Sequence, residues 1–155
     1  ILNFQCMHQS LKKSWISTIL ASMLILLFVY TASSKFMDLY RFEVALDRMP
    51  FIQALAPIIA WSVPVTELYI AALLLLPHKR QKGFLFSLYL LAAFTIYLGL
   101  VLLLAPHLPC SCGGVVSGLG WKQHLLFNMA CMLIAFTGWR IEKSSPLDPA
   151  SFSTG

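Results

Sequence analysis

Four long apolar stretches dominate the chain, and short polar segments separate them. None shows the strict alternation of apolar and polar residues that a half-buried strand needs, and open sheet edges are not tolerated in lipid, so each stretch is interpreted as a helix. A helix of roughly 20 residues crosses a hydrocarbon core about 30 Å thick. The stretches of about this length are residues 15–33, 54–76, 83–104 and 123–139. The pattern predicts an all-α fold, a bundle of four transmembrane helices.

The composition agrees with a membrane-embedded chain. Hydrophobic residues make up 59% of it and charged residues 11%, with a mean hydropathy of +0.78, which excludes an ordinary soluble domain. A cleavable signal peptide could imitate the first stretch, but its apolar core is long and no small-residue cleavage pattern follows, which favours a retained helix. We expect an N-terminal segment over residues 1–14, a membrane domain over residues 15–140 and a disordered C-terminal tail over residues 141–155.

The basic residues are unevenly distributed between the two ends of the predicted helices. One end has seven of them: Lys12, Lys13, Lys79, Arg80, Lys82, Arg140 and Lys143. The other has four: Lys35, Arg41, Arg48 and Lys122. The first three of these lie close to acidic residues in the sequence. The positive-inside rule then places both termini in the cytoplasm. The net charge of +5 follows from this topology and gives no reason to expect nucleic-acid binding.

An amphipathic segment follows the first predicted span, over residues 38–49. Its apolar residues recur at near-helical spacing, Asp38 could cap its start, and Pro50 would end it. We expect a short extracytoplasmic helix that lies on the outer surface and covers the end of the bundle. It would serve either as a connection or as a surface that binds a partner.

The loop between the third and fourth spans contains the strongest chemical signal, the sequence PCSCGG over residues 109–114. Alternate residues of an extended chain point to the same side, so Cys110 and Cys112 can approach within the range of about 4.4 to 6.8 Å between Cα atoms that a disulfide allows. Such a small ring is strained and easily reduced, which suits thiol–disulfide exchange. The predicted topology places this loop in an extracytoplasmic compartment that permits disulfides.

Two other interpretations of this loop stay open. It could contain a static disulfide or two idle thiols. It could also bind zinc or copper through His107, Cys110, Cys112 and His124, although a C-x-C spacing is shorter than the usual C-x₂₋₄-C pattern, so no metal ligands are assigned.

Polar residues within the spans suggest a second component of the site. Glu67 is the only acid inside a predicted span, and it must be neutral or paired there. Counted by depth from the outer face, Lys35, Tyr97, His124 and Asn128 lie in its neighbourhood and could form one polar cluster beneath the cysteine loop.

Roles in this cluster follow from side-chain chemistry. His124 could act as the base that raises the thiolate fraction, and Lys35 could stabilise a thiolate by its charge. Glu67 could take up protons or orient a quinone head group. Equally open are a structural hydrogen bond for Glu67 and a plain interfacial position for His124.

In their order and spacing, several segments resemble the MauE/DoxX family of small redox-associated membrane proteins. The resemblance covers residues 15–140. The matching segments are ASSKFMD at 32–38, PVTEL at 64–68, PCSCGG at 109–114, GW at 120–121 and HLLFN at 124–128. The resemblance implies a four-helix membrane protein. Methylamine-utilisation members are linked to maturation of a disulfide-rich periplasmic dehydrogenase subunit alongside a thioredoxin-like partner, and DoxX-type members to quinone-linked sulfur oxidation.

Together these features predict a multi-pass protein of the bacterial cytoplasmic membrane. Cys110 and Cys112, assisted by His124, would exchange electrons between an extracytoplasmic thioredoxin-like protein and the membrane. Lys35, Glu67, Tyr97 and Asn128 would bind the candidate cofactor, a quinone. If it is an enzyme, it is a thiol–disulfide oxidoreductase. The alternative is a non-enzymatic docking subunit of a larger membrane complex.

Overall fold

The computed structural model describes residues 2–48, 51–104 and 121–144, and these contain helices and turns but no strand. Two short 3₁₀ turns, Gln53–Leu55 and Pro77–Lys79, come directly before the third and fourth helices. The helices are α1 (Leu2–Met37), α2 (Leu39–Asp47), α3 (Ala56–Leu75), α4 (Arg80–Leu104) and α5 (Trp121–Lys143).

Four of these helices are long and apolar enough to cross a membrane, which confirms the predicted fold class. Their candidate spans are Ser14–Met37, Gln53–Leu75, Pro77–Leu100 and Gln123–Lys143. The helices themselves extend further than the predicted spans. α1 begins at Leu2, so no break in secondary structure marks the expected boundary near residue 14. Hydropathy identifies the part of a helix that lipid can cover, whereas polar residues can continue the same helix beyond it.

The four long helices form a ring in which α1 and α4 each pack between α3 and α5. The centre of the ring is a core of buried apolar side chains from all four helices, including Leu24, Phe28, Leu74 and Phe84. Cys131 is part of this core and is 5% exposed. Its burial fits the role of a small apolar side chain.

The two ends of the ring contain different elements of the fold. The end that contains the turn Pro77–Lys79, the start of α4 and the end of α5 is called the basic end. The opposite end is called the α2 end, because α2 packs there against the start of α3. α4 and α5 are joined at the α2 end by residues 105–120, which lie outside the described part of the chain.

α2 is the amphipathic helix that the sequence predicts. The carboxylate of Asp38 accepts a hydrogen bond from the backbone N–H of Arg41 at 3.4 Å and so caps the helix. The side chains of Phe42 and Leu46 are buried, against Ala60 of α3 among others. The helix ends at Asp47, two residues short of its predicted end, and Pro50 lies outside the described residues.

The two prolines of the second span differ in their effect on α3. Pro57 lies in the first turn of α3, where backbone N–H groups have no partner within the helix, so it removes no helical hydrogen bond there. Pro64 lies inside α3 and is buried. Only Pro64 can therefore bend the helix from within.

Arg80 and Glu142 join the helices at the basic end. The Nη1 atom of Arg80 lies 3.8 Å from Oε1 of Glu142, and Ser17 donates a hydrogen bond to the same carboxylate oxygen. Arg80 also donates to the carbonyl of Leu74 at 3.3 Å and to the hydroxyl of Thr18 at 3.1 Å. From the sequence, Arg80 was only one of several charges that set the topology. In the fold it connects α1, α3, α4 and α5.

Candidate functional site

A buried ion pair joins the last turn of α1 to α3. Nζ of Lys35 lies 2.8 Å from Oε1 of Glu67 and 3.1 Å from Oε2. The two side chains are 11% and 4% exposed. An isolated charge at this depth would be costly, and each of these side chains neutralises the other. The sequence required a partner for Glu67 without choosing among its neighbours, and the structure identifies Lys35.

Two further contacts hold the ammonium of Lys35 in place. It lies 3.4 Å from the carbonyl of Thr31, one turn earlier on α1, and 5.7 Å from the centre of the Phe42 ring. The negative end of the α1 dipole favours a cation in the last turn, and the face of an aromatic ring attracts one. α1, α2 and α3 therefore converge on a single positive charge.

The ion pair forms part of the wall of a cavity of about 320 Å³. Side chains from all five described helices surround it, and the apolar part of the wall includes Phe28, Leu91, Phe94 and Phe127. The volume lies at the lower end of the range of about 300 to 1,000 Å³ that is typical of small-molecule sites. The polar part of the wall is formed by Thr31, Lys35, Glu67, Tyr97, His124 and Asn128.

His124 and Asn128 lie one turn apart on α5 and contribute to the polar part of the wall. Nδ1 of His124 is buried, and it has no hydrogen-bond partner among the described residues. Asn128 is 7% exposed. Buried polar atoms are nearly always paired in folded proteins, so an unpaired nitrogen on a cavity wall is suited to a hydrogen bond with a ligand.

The structure brings together five of the seven site residues proposed from the sequence: Lys35, Glu67, Tyr97, His124 and Asn128. Their chemical roles stay predictions. The other two, Cys110 and Cys112, lie outside the described residues, as does His107 of the alternative metal set. No group of three or more potential metal ligands occurs in the part of the chain that the structure describes.

The cavity lies close to both attachment points of the cysteine loop. Tyr97 lies about two turns before the end of α4 at Leu104, and His124 lies about one turn after the start of α5 at Trp121. The loop therefore leaves and re-enters the described structure within a few turns of the cavity wall.

Sequence reasoning missed Thr31 and Phe42 as parts of the site. Thr31 precedes Lys35 by four residues, so it lies on the same face of α1, and this spacing could have identified it. Phe42 had no comparable signal. Its place beside Lys35 depends on how α2 packs over the end of the four-helix ring.

A family model described as methylamine utilisation protein MauE matches residues 13–141. That range includes the five predicted site residues on the cavity wall and both cysteines of the loop. No curated protein and no solved structure matches the chain.

Proposed function

The chain belongs to the MauE family, and on that premise we propose that it is a membrane thiol–disulfide redox protein. Cys110 and Cys112 exchange electrons with an extracytoplasmic thioredoxin-like protein, and a quinone in the membrane is the second redox partner. The α2 end faces the extracytoplasmic side of a bacterial cytoplasmic membrane in this proposal, since most of the positive charge lies at the basic end.

The observation that carries the proposal is the position of the polar cavity. It lies at the end of the bundle where α4 and α5 are joined by the cysteine loop, and Lys35, Glu67 and His124 all line it. A ligand in the cavity and a thiol in the loop would therefore be near neighbours. The same wall offers the cationic and basic groups that thiol chemistry uses.

The electrons and protons balance between the two partners. In the oxidising direction, a thiolate of the partner attacks the disulfide between Cys110 and Cys112, and a mixed disulfide forms. The second partner thiolate resolves it, which leaves the partner oxidised and the two cysteines as a dithiol. Reoxidation of the dithiol releases two electrons and two protons, and reduction of a quinone to a quinol consumes the same number.

The cavity residues have distinct roles in this scheme. Lys35 stabilises by its charge the loop thiolate that is released when the partner attacks the disulfide, and Glu67 holds the ammonium in position. His124 accepts the thiol proton through its unpaired ring nitrogen. The apolar wall would surround the quinone ring, and the amide of Asn128 would donate a hydrogen bond to a quinone oxygen.

The redox state of the two cysteines in membranes tests the proposal. Cys6→Ser and Cys131→Ser are introduced first, so that alkylation with a mass tag reports only on Cys110 and Cys112. Without quinone the pair should accumulate as a dithiol, and added quinone should return it to the disulfide. A pair that stays oxidised whether or not quinone is present would contradict the proposal and indicate a static disulfide.

The runner-up function is docking within a larger membrane complex, without redox turnover. Large apolar side chains are exposed at the α2 end, where Met37 is 88%, Tyr40 78% and Phe51 70% exposed. Phe51 also has a φ of 73°, which is a strained conformation for an aromatic residue. A stoichiometric complex that Tyr40→Ser disrupts, with no change in cysteine redox state, would favour this function.

A further inference from the structure

A continuous stripe on α5 faces outward from the bundle and ends in two cations. Met129, Leu133 and Phe136 are 52%, 66% and 44% exposed, and Arg140 and Lys143 follow on the same side at the basic end. These five residues, spaced three or four apart, share one face of the helix. We call them the α5 stripe.

Both cations of the α5 stripe lie against aromatic rings. The guanidinium carbon of Arg140 lies 5.8 Å from the centre of the Phe136 ring, and Nζ of Lys143 lies 4.9 Å from that of Trp139. The two rings are themselves 6.0 Å apart. Cation–π contacts of this kind orient a charged side chain without neutralising it.

Neither Arg140 nor Lys143 has a carboxylate partner among the described residues. Glu142 is the only acidic residue that the described structure has at the basic end, and its carboxylate is bound by Arg80 and Ser17 on the inner side of α5. Within the described part of the chain, the two cations therefore form a positive patch that no carboxylate pairs with, directly beside an exposed apolar surface.

We propose that the α5 stripe binds one anionic glycerophospholipid. Its phosphate lies between the side chains of Arg140 and Lys143, which are one turn apart, and an acyl chain lies along Phe136, Leu133 and Met129. Charge complementarity selects an anionic headgroup, and the exposed apolar side chains select a lipid over a soluble phosphate. The site is independent of the cavity at the α2 end.

Native mass spectrometry of the full chain in detergent tests this site, with phosphatidylglycerol and phosphatidylcholine of equal chain length as probes. Phosphatidylglycerol should bind more tightly. Arg140→Gln with Lys143→Gln should weaken its binding by about fivefold for each charge removed. The control, Lys79→Gln with Lys82→Gln, removes the same charge from exposed positions at the same end, and should change binding by less than about twofold.

Three results would overturn the proposal. Equal losses in the two double variants would mean that only the overall positive charge attracts the lipid. Equal binding of the two phospholipids would exclude headgroup selection. Displacement of phosphatidylglycerol by an equal concentration of glycerol phosphate would show that the apolar part of the stripe contributes nothing. The charge-retaining variant, Arg140→Lys with Lys143→Arg, should keep binding and so separates loss of charge from loss of fold.

Discussion

Lys35 and Glu67 form a bidentate ion pair in which one ammonium lies 2.8 and 3.1 Å from the two oxygens of one carboxylate. The residues come from different helices and are separated by 32 positions in the chain. Both side chains are mostly buried and lie on the wall of the cavity described above. Variants of this pair therefore allow its contribution to the stability of the protein to be measured separately from its proposed role in the site.

Removing one member of this pair should cost more stability than removing both. Lys35→Met or Glu67→Met alone leaves an uncompensated buried charge, and breaking a buried pair in this way typically costs about 3 to 5 kcal/mol. The double variant leaves no charge behind and should be more stable than either single variant. Thermal unfolding in detergent measures all four proteins. Additive losses would show that the two charges do not interact.

His124→Leu should affect turnover without lowering stability. Its buried Nδ1 has no partner among the described residues, so removing the ring removes an unpaired polar atom, and the free energy of unfolding should stay equal or rise by about 1 kcal/mol. Reoxidation of the Cys110–Cys112 dithiol by quinone should slow by about 10²-fold or more, as is typical for loss of a general base.

Asn128→Leu is the matched control for His124→Leu, because it removes a polar group from the next turn of the same cavity wall. It should weaken quinone binding while the rate at saturating quinone stays close to that of the natural protein. If His124→Leu leaves the reoxidation rate unchanged, His124 is an interfacial histidine and not a base.

Replacing either loop cysteine with serine should abolish exchange with the partner in a way that distinguishes the two thiols. A single variant cannot form the loop disulfide, so the assay uses the oxidised partner, with which the exchange runs in reverse. The loop cysteine that attacks the partner disulfide should be required for any mixed disulfide, whereas loss of the other should let the mixed disulfide accumulate, since no second loop thiol is left to resolve it. Non-reducing electrophoresis with a thioredoxin-like partner measures both outcomes. Cys131→Ser, at a buried core position, should leave exchange intact. Full exchange in both loop variants would contradict the proposed function.

Gly138→Ala should destabilise the packing of α5 on α4. A Cβ atom at this position would clash with the ring of Phe84, and that ring is fully buried. Overpacking of a core typically costs about 1 to 3 kcal/mol. Phe84→Leu in the same chain should recover part of the loss, because it removes the atoms that clash.

Gly99→Ala is the control for this substitution, since a Cβ there meets nothing within 4 Å. Alanine is favoured over glycine inside a helix by about 0.8 to 1 kcal/mol, so this variant should be as stable as the natural protein or slightly more stable. Thermal unfolding in detergent compares the two variants. Equal behaviour would mean that α4 and α5 are not in close contact at Gly138.

The sequence by itself determined the number of long helices, the approximate limits of their candidate membrane spans and the short amphipathic helix capped by Asp38. These depend on local rules: a bilayer requires about 20 apolar residues per crossing, and caps act on neighbouring residues. It also singled out Glu67, because an acid inside an apolar span requires a partner. The match to the MauE family over residues 13–141 agrees with that organisation.

Only the tertiary structure decided which side chains meet. The spanning stretches are apolar on most sides, so periodicity does not reveal which face of each helix points inward. Three contacts depend on the rotation and order of the helices around the ring: the pairing of Lys35 with Glu67, the ion pair between Arg80 and Glu142, and the contact of Gly138 with Phe84. Those are set by packing between segments far apart in the chain, and no local pattern encodes them.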